Sequence, residues 1–449
     1  MKRVLVLNIV ALSKNLIGDD TPFINSLIEK GHLGIINHTD PAVTCSVQSS
    51  LLTGSKVSEH GIVGNGWYNR ELSEIMFWKQ SNHLVRGEML WDAAKIKNKA
   101  FSCAQLFWWY NMYNTADWSV TPRPLYPADG QKIPDIYASS DELRFELTEK
   151  LGRFPLFNFW GPTANMKSSK WIADCAIHIE KTRKPTLNLV YLPHLDYCLQ
   201  KFGPNSPKVK KEVKAIDELT KYICENIKVD EVVILSEYSI SEVDQVIYPN
   251  RELRKLGLLG LKKEFHYEML DAGRSDCFAV CDHQIAHLYC KDNYKDKVIK
   301  HFQNNPLVEK VLYGNQLKDF ALNHERAGDI VLIAKNNAWF SYYFWEDDNK
   351  APDYARTVDI HRKPGYDPVE LFINPKLKLA KLRIIWKVIK KKLGFRQLLD
   401  VIPLDATLVK GSHGAMPAKG SEPVFISSQS IDSIPAEKVK EKILEIIFN

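Results

Sequence analysis

No apolar run in this 449-residue chain approaches the eighteen or so residues that cross a bilayer. The apolar stretch at residues 4–10 is also too short for a secretory leader with a cleavage site, and it reads as a buried first strand. Eight cysteines are present, but no CxxC pair, and their spacing suggests neither a zinc knuckle nor a disulfide framework. These absences together predict a reducing, cytoplasmic setting. Internal repeats and low-complexity tracts are missing too, which excludes solenoid and linker-rich architectures.

Charge of one sign is scarce except in one place. The formal net charge is +6, yet residues 376–396 hold nine basic side chains and no acidic one, leaving the rest of the chain at about −3. That distribution excludes a generally nucleic-acid-coating protein, so no nucleic-acid polymer is expected as a partner. Within the basic run, Leu379, Leu382, Ile385 or Trp386, Ile389 and Leu393 recur at helical spacing. The run reads as a surface helix with a solvated basic face or, alternatively, as peripheral contact with an anionic membrane through residues 376–393.

Apolar and aromatic residues are plentiful: 45% of the chain is hydrophobic, with 11 Trp, 18 Tyr and 19 Phe. Such a composition suits a large core or a lined pocket. The cluster Phe107-Trp108-Trp109-Tyr110-Asn111-Met112-Tyr113 fits either use. Strand patterns at residues 4–10, 33–36, 100–106, 186–192 and 231–235 alternate with helical ones at 21–31, 88–94, 171–181 and 209–227. This alternation predicts a parallel α/β sheet, whose ligands bind beyond the carboxyl ends of the strands. Past residue 250 the pattern changes to short strands at 278–280, 286–289, 330–334 and 341–344, with a helix at 298–303.

The stretch Pro41-Ala42-Val43-Thr44-Cys45-Ser46-Val47-Gln48-Ser49-Ser50-Leu51-Leu52-Thr53-Gly54 is the most informative. It predicts an extended approach, a hydroxyl residue at a helix N-terminus, and a left-handed cap at Gly54. Thr44 is an ordinary helix cap or, if a metal lowers its pKa, a nucleophile beside an anion held by the helix dipole. Asp196 and Glu237 likewise fall just past predicted strands. Other candidate oxygen and nitrogen ligands are His194, Asp282, His283, His287, Asp359, His361, Asp367 and His413; such a mixture suits zinc or manganese.

The order of these pieces resembles the nucleotide pyrophosphatase/phosphodiesterase branch of the alkaline phosphatase superfamily. The resemblance rests on Pro-x-x-Thr-Cys-x-x-Gln-x-x-Leu-Leu-Thr-Gly at 41–54 and His-Gly-Ile-Val-Gly-Asn at 60–65. The Pro-x-x-Asp of Asp196, the Ser-Glu-Tyr at 236–238 and the Gly-Ser-His-Gly around His413 continue it, so that it reaches to about residue 420. It implies an α/β fold with a mostly parallel sheet covered by helices on both faces. It also implies one large domain over 1–449, with insertions or a cap within 107–165 and 250–370. In that family two zinc ions flank a threonine nucleophile. By position Thr44 is then the nucleophile, Asn65 holds a phosphoryl oxygen, and Asp196 and His413 are metal ligands. Glu237 becomes a substitute carboxylate ligand, and His194, His361 and Asp367, or Asp282 and His283, are nearby groups from which a ligand set could be rebuilt. The substrate expected is a small phosphodiester or phosphomonoester, and the cofactor a divalent metal, zinc, as one or two ions.

Several positions depart from the family's pattern. Val10 stands where the first-strand aspartate is expected, Gln200 replaces a histidine, and Glu237-Tyr238 replaces an Asp-His pair. The alternative is therefore a degenerate relative that keeps the fold and binds a ligand, a partner or a membrane surface.

Overall fold

The computed structural model describes residues 1–449, the side chains of residues 391 and 392 excepted. Thirteen strands carry the architecture. Those of the large sheet are, in chain order, β1 Val4–Ile9, β2 His32–Asn37, β3 Cys103–Leu106, β4 Trp118–Pro122, β5 Ile136–Ala138, β6 Leu187–Leu192 and β7 Glu231–Leu235. A second, smaller sheet contains β8 Cys277–Asp282, β9 Ile285–Cys290, β10 Val308–Tyr313 and β11 Ile330–Ala334. The chain then returns to the large sheet with β12 Val424–Ser427 and β13 Ser433–Pro435.

The large sheet runs β13-β2-β12-β7-β1-β6-β3-β4-β5. Its centre is parallel: β1 pairs with β6 and β7, and β3 with β6 and β4. Antiparallel pairings enter only through β12, against β2 and β7, and β5, against β4. Every residue of β1 and β6 is buried, as their near-continuous apolar runs demand of strands covered on both faces.

The principal helices are α1 Pro22–Lys30, α2 Thr44–Thr53, α3 Met166–Arg183, α4 His194–Phe202, α5 Pro207–Asn226, α6 Ala380–Lys392 and α7 Val439–Phe448. Helices α1, α3 and α5 pack as one group and α2 with α7 as another, flanking the sheet. The expected mostly parallel α/β architecture is therefore present.

Register decides where chemistry can gather. Asn8 of β1 lies opposite Leu235 of β7, and Ile9 opposite Leu192 of β6. The three central strands thus end at one level. Asp196 in the first turn of α4, and Glu237 two residues past β7, emerge together beyond that edge.

The smaller sheet is antiparallel in the order β8-β9-β11-β10. Strand β8 ends on Asp282, and its turn into β9 carries His283. Two expectations fail in this half of the chain. A strand at 341–344 is replaced by one at Ala338–Phe340, while Tyr342, Tyr343, Phe344 and Trp345 are buried in irregular backbone. Cys277 and Cys290 face each other across β8 and β9 and form a disulfide, against the spacing argument.

Candidate active site

Thr44 is the first residue of α2 and is buried, with Val43 in the extended conformation at the cap position. Gly54 closes the helix at φ 68°, the left-handed cap its sequence predicts. Every residue of α2 is buried, so the helix is fixed by packing on all sides. Gln48 lies one turn beyond Thr44 on the same face. Its Nε2 donates to Glu237 Oε1 at 2.5 Å, while its Oε1 accepts from the Trp109 backbone N–H at 2.7 Å.

A relay of hydrogen bonds leads from Thr44. Its Oγ1 lies 3.0 Å from the Tyr238 hydroxyl, and Tyr238 donates in turn to Asp196 Oδ1 at 3.3 Å. Thr44 is therefore the donor in the first link. Gln200, one turn after Asp196 on α4, donates to Asp196 Oδ2 at 2.8 Å, and Tyr366 donates to Gln200 Oε1 at 2.8 Å. Burial pushes the Asp196 carboxyl up to about 7, with the bonds from Gln200 and Tyr238 opposing it. Glu237 accepts from Asn8 Nδ2 at 2.6 Å as well as from Gln48, yet burial holds its carboxyl at about 8.

On the opposite wall the Asn65 and Asp282 side chains are fully bonded, while His283 Nε2 is buried without a partner. Asn65 Oδ1 accepts from the Cys45 N–H at 2.9 Å, tying the glycine loop to the start of α2. Asp282 accepts from the Asn65 backbone N–H at 2.7 Å and from Asn65 Nδ2 at 3.0 Å. Its Oδ1 also lies 2.7 Å from His283 Nδ1. Gly64 lets the loop lie against that carboxylate; a Cβ built there would sit 3.2 Å from Asp282 Oδ2. Burial raises Asp282 to about 6, with the Asn65 N–H opposing it, and burial depresses His283 and His413 well below the usual imidazole range.

Above Thr44 opens a cavity of about 820 Å³ lined by Trp78, Trp109, Trp160, Tyr191, Tyr197, Tyr366, His283, His361 and Asp196. The aromatic cluster at 107–113 divides its work. Trp109 stacks near Trp78 at 4.7 Å on the cavity wall, whereas Phe107 packs against Phe154 and Trp171 in the core.

Thr44, Asn65, Asp196, Glu237 and His413 are gathered around one centre. His413 Nε2 is 3.8 Å from Asp196 Oδ1, and its ring lies flat on Tyr238 at 3.6 Å. His361 lines the cavity, with its Nδ1 3.3 Å from the Phe77 carbonyl oxygen. Asp367 does not join the set: one oxygen pairs with buried Lys363 at 2.7 Å and the other accepts from the Val369 N–H. His194 is likewise occupied elsewhere, 2.6 Å from Glu212. Asn8, Gln48 and Tyr366 are not among the ligands the sequence suggests, whereas Asp282 and His283 are. The i+4 spacing of Gln48 from Thr44, and the Asp-His-Gln turn between two apolar strands, were the available signals.

The donor chemistry can be tested against the metal that the resemblance implies. A pair of zinc ions does not fit. Val10 offers no donor and Gln200 Oε1 is taken by Tyr366, so the full ligand set is missing, although His413 Nε2 and His283 Nε2 are buried with no hydrogen-bond partner. Among the described residues, no group of three His, Cys, Asp or Glu side chains is placed to hold a metal. A single harder cation does fit the other side. Glu237 Oε2 and Asn8 Oδ1 are buried with no partner, and Thr44 stands beside them, an all-oxygen set. A buried, uncompensated carboxyl keeps its proton until a cation displaces it.

The sequence matches the Type I phosphodiesterase / nucleotide pyrophosphatase family over residues 4–367. The chain belongs to that family and, with it, to the alkaline phosphatase superfamily. No curated protein matches it in sequence. Among solved structures, it resembles phosphonoacetate hydrolase from Sinorhizobium meliloti 1021 in complex with phosphonoformate. The TM-score there is 0.62 at 13% identity, over 99% of this chain and 96% of that one. It also resembles an inactive variant of murine ectonucleotide pyrophosphatase / phosphodiesterase 5 in complex with AMP. Here the TM-score is 0.60 at 12% identity, over 100% and 95% of the two chains. At these identities the structural likenesses establish a shared fold, while the family membership supports a phosphoester hydrolase.

Proposed function

We propose that this protein hydrolyses a small phosphoester with Thr44 as nucleophile. The observation that carries the reading is the relay from the Thr44 hydroxyl through Tyr238 to Asp196, at the base of the aromatic cavity. Thr44 Oγ1 attacks phosphorus, the Oγ1–P bond forms, and the bond from phosphorus to the leaving-group oxygen breaks. The proton of Thr44 passes along Tyr238 to Asp196. A carboxyl near 7 suits that task, because the ideal general base lies near the working pH. Water then releases the phosphoryl group from Thr44.

The N-terminus of α2 supplies backbone N–H groups and a positive dipole end beside the attacked phosphate. Asn65 and Asp282 position that helix through the Cys45 N–H. Asn8, Glu237 and Thr44 would hold a single divalent cation. When bound, it supplies charge for the phosphoryl oxygens and lowers the pKa of the threonine hydroxyl. An all-oxygen set favours magnesium or manganese over zinc. The aromatic walls suit a ring-bearing or apolar leaving group. The AMP and phosphonoformate bound by the structural relatives are small phosphorus-containing anions, in keeping with this substrate class.

Turnover of an aryl phosphodiester by purified protein, with magnesium, manganese or zinc and with chelator, tests the reading. Magnesium- or manganese-dependent turnover supports it. Absence of turnover with every metal favours the second reading, a ligand-binding relative, for which the engagement of Gln200 Oε1 by Tyr366 speaks.

A further inference from the structure

Helix α6 is amphipathic in the wrong sense for a helix that merely covers a core. Its apolar stripe faces outward: Leu382, Ile385 and Trp386 are 60%, 54% and 57% exposed. The inward positions are Ile384, packed on the core of the smaller sheet, and Lys387, whose Nζ donates to the Leu398 carbonyl at 2.9 Å and pairs with Asp400. Ten of the 21 large exposed apolar side chains among the described residues lie within 379–399, so this is one patch rather than scatter. Exposed basic residues border it, and no acidic residue occurs in 376–396. The same segment forms part of the cavity wall, through Ile384, Lys387, Val388 and Leu399.

We propose that residues 379–399 dock on the surface of an anionic lipid bilayer, with the cavity opening at headgroup level. An interfacial helix buries its apolar face at the acyl boundary while its lysines and arginines meet anionic headgroups. No helix among the described residues is long and apolar enough to cross a membrane, so the contact is peripheral. Resting on the hydrolase reading above, the substrate class becomes a phosphoester carried on a lipid tail. Its phosphate reaches Thr44 while its apolar part lies along the tryptophans of the cavity.

Co-sedimentation of the full chain with phosphatidylcholine vesicles, with and without phosphatidylserine, tests the docking. The wild type pellets with the anionic vesicles and is released by high salt. Leu382→Asp combined with Trp386→Asp reduces partitioning at least about tenfold, without changing the circular dichroism spectrum or turnover of a soluble aryl substrate. Lys381→Gln and Arg383→Gln each weaken binding about fivefold. Equal pelleting of wild type and the Leu382/Trp386 variant overturns the proposal. So does indifference to phosphatidylserine, or a wild-type dimer that this variant dissolves with no vesicle binding. Thr44→Ala pellets like wild type whatever its turnover, so the docking and hydrolase readings fail separately.

Discussion

The two walls around Thr44 are built to different standards. On the Asn65–Asp282 side both amide and carboxylate oxygens have partners, down to the backbone N–H groups of Cys45 and Asn65. On the Asn8–Glu237 side, one carboxyl oxygen and one amide oxygen are buried without any. A buried acceptor left alone costs about 1–3 kcal/mol; on the second wall both orphans are oxygens, whereas on the first the orphan is the ring nitrogen His283 Nε2. The contrast teaches that one wall places Thr44 and the other waits for a positive charge.

The largest expected effect falls on the residue between the walls. Thr44→Ala lowers kcat on an aryl phosphodiester at least about a thousandfold, with the fold intact by circular dichroism. Next come paired substitutions that set one wall against the other. Asp282→Ala strands Asn65 and His283 and lowers unfolding free energy in urea by about 3 kcal/mol. Glu237→Gln replaces a carboxyl already neutral at pH 7 with its isostere. It changes stability by less than about 1 kcal/mol, while the dependence of turnover on added metal disappears. Equal losses of stability in these two variants would erase the distinction between the walls.

A smaller effect is written in His60, on the bonded side. Its ring nitrogens meet Ser50 Oγ at 3.0 Å and the Ile62 N–H at 3.1 Å. Burial, helped by His324 and Arg326, lowers it from 6.5 to about 3. The folded state therefore keeps the neutral ring, and this stabilisation is complete above 6.5 and lost as pH falls from there toward 3. Between pH 6.5 and pH 5 the loss is about 2 kcal/mol, and His60→Gln flattens that slope in urea titrations at the two pH values.

Sequence pattern reached the centre of the large sheet, because β1, β6 and β7 are apolar runs punctuated by helices with regular periodicity. It missed β12 and β13, short strands that come late in the chain yet pair with β2. The expected strand at 341–344 is irregular because its aromatic side chains are all buried, with no ladder partner to impose alternation. At the site, Thr44, Asp196 and Glu237 were legible from their places after strands. Asp367 was not separable from them, since its partner Lys363, 1% exposed, is a lysine that composition would leave in solvent. The orphaned oxygens of Asn8 and Glu237 were invisible to pattern, because they depend on which donors reach across from α2.

The most direct measurement is mass spectrometry of protein quenched during turnover of a phosphodiester, read on the peptide containing residues 41–54. The account predicts a phosphoryl adduct on Thr44 that is absent from Thr44→Ala. Turnover by Thr44→Ala at the wild-type rate, with no adduct on that peptide in either protein, would contradict it.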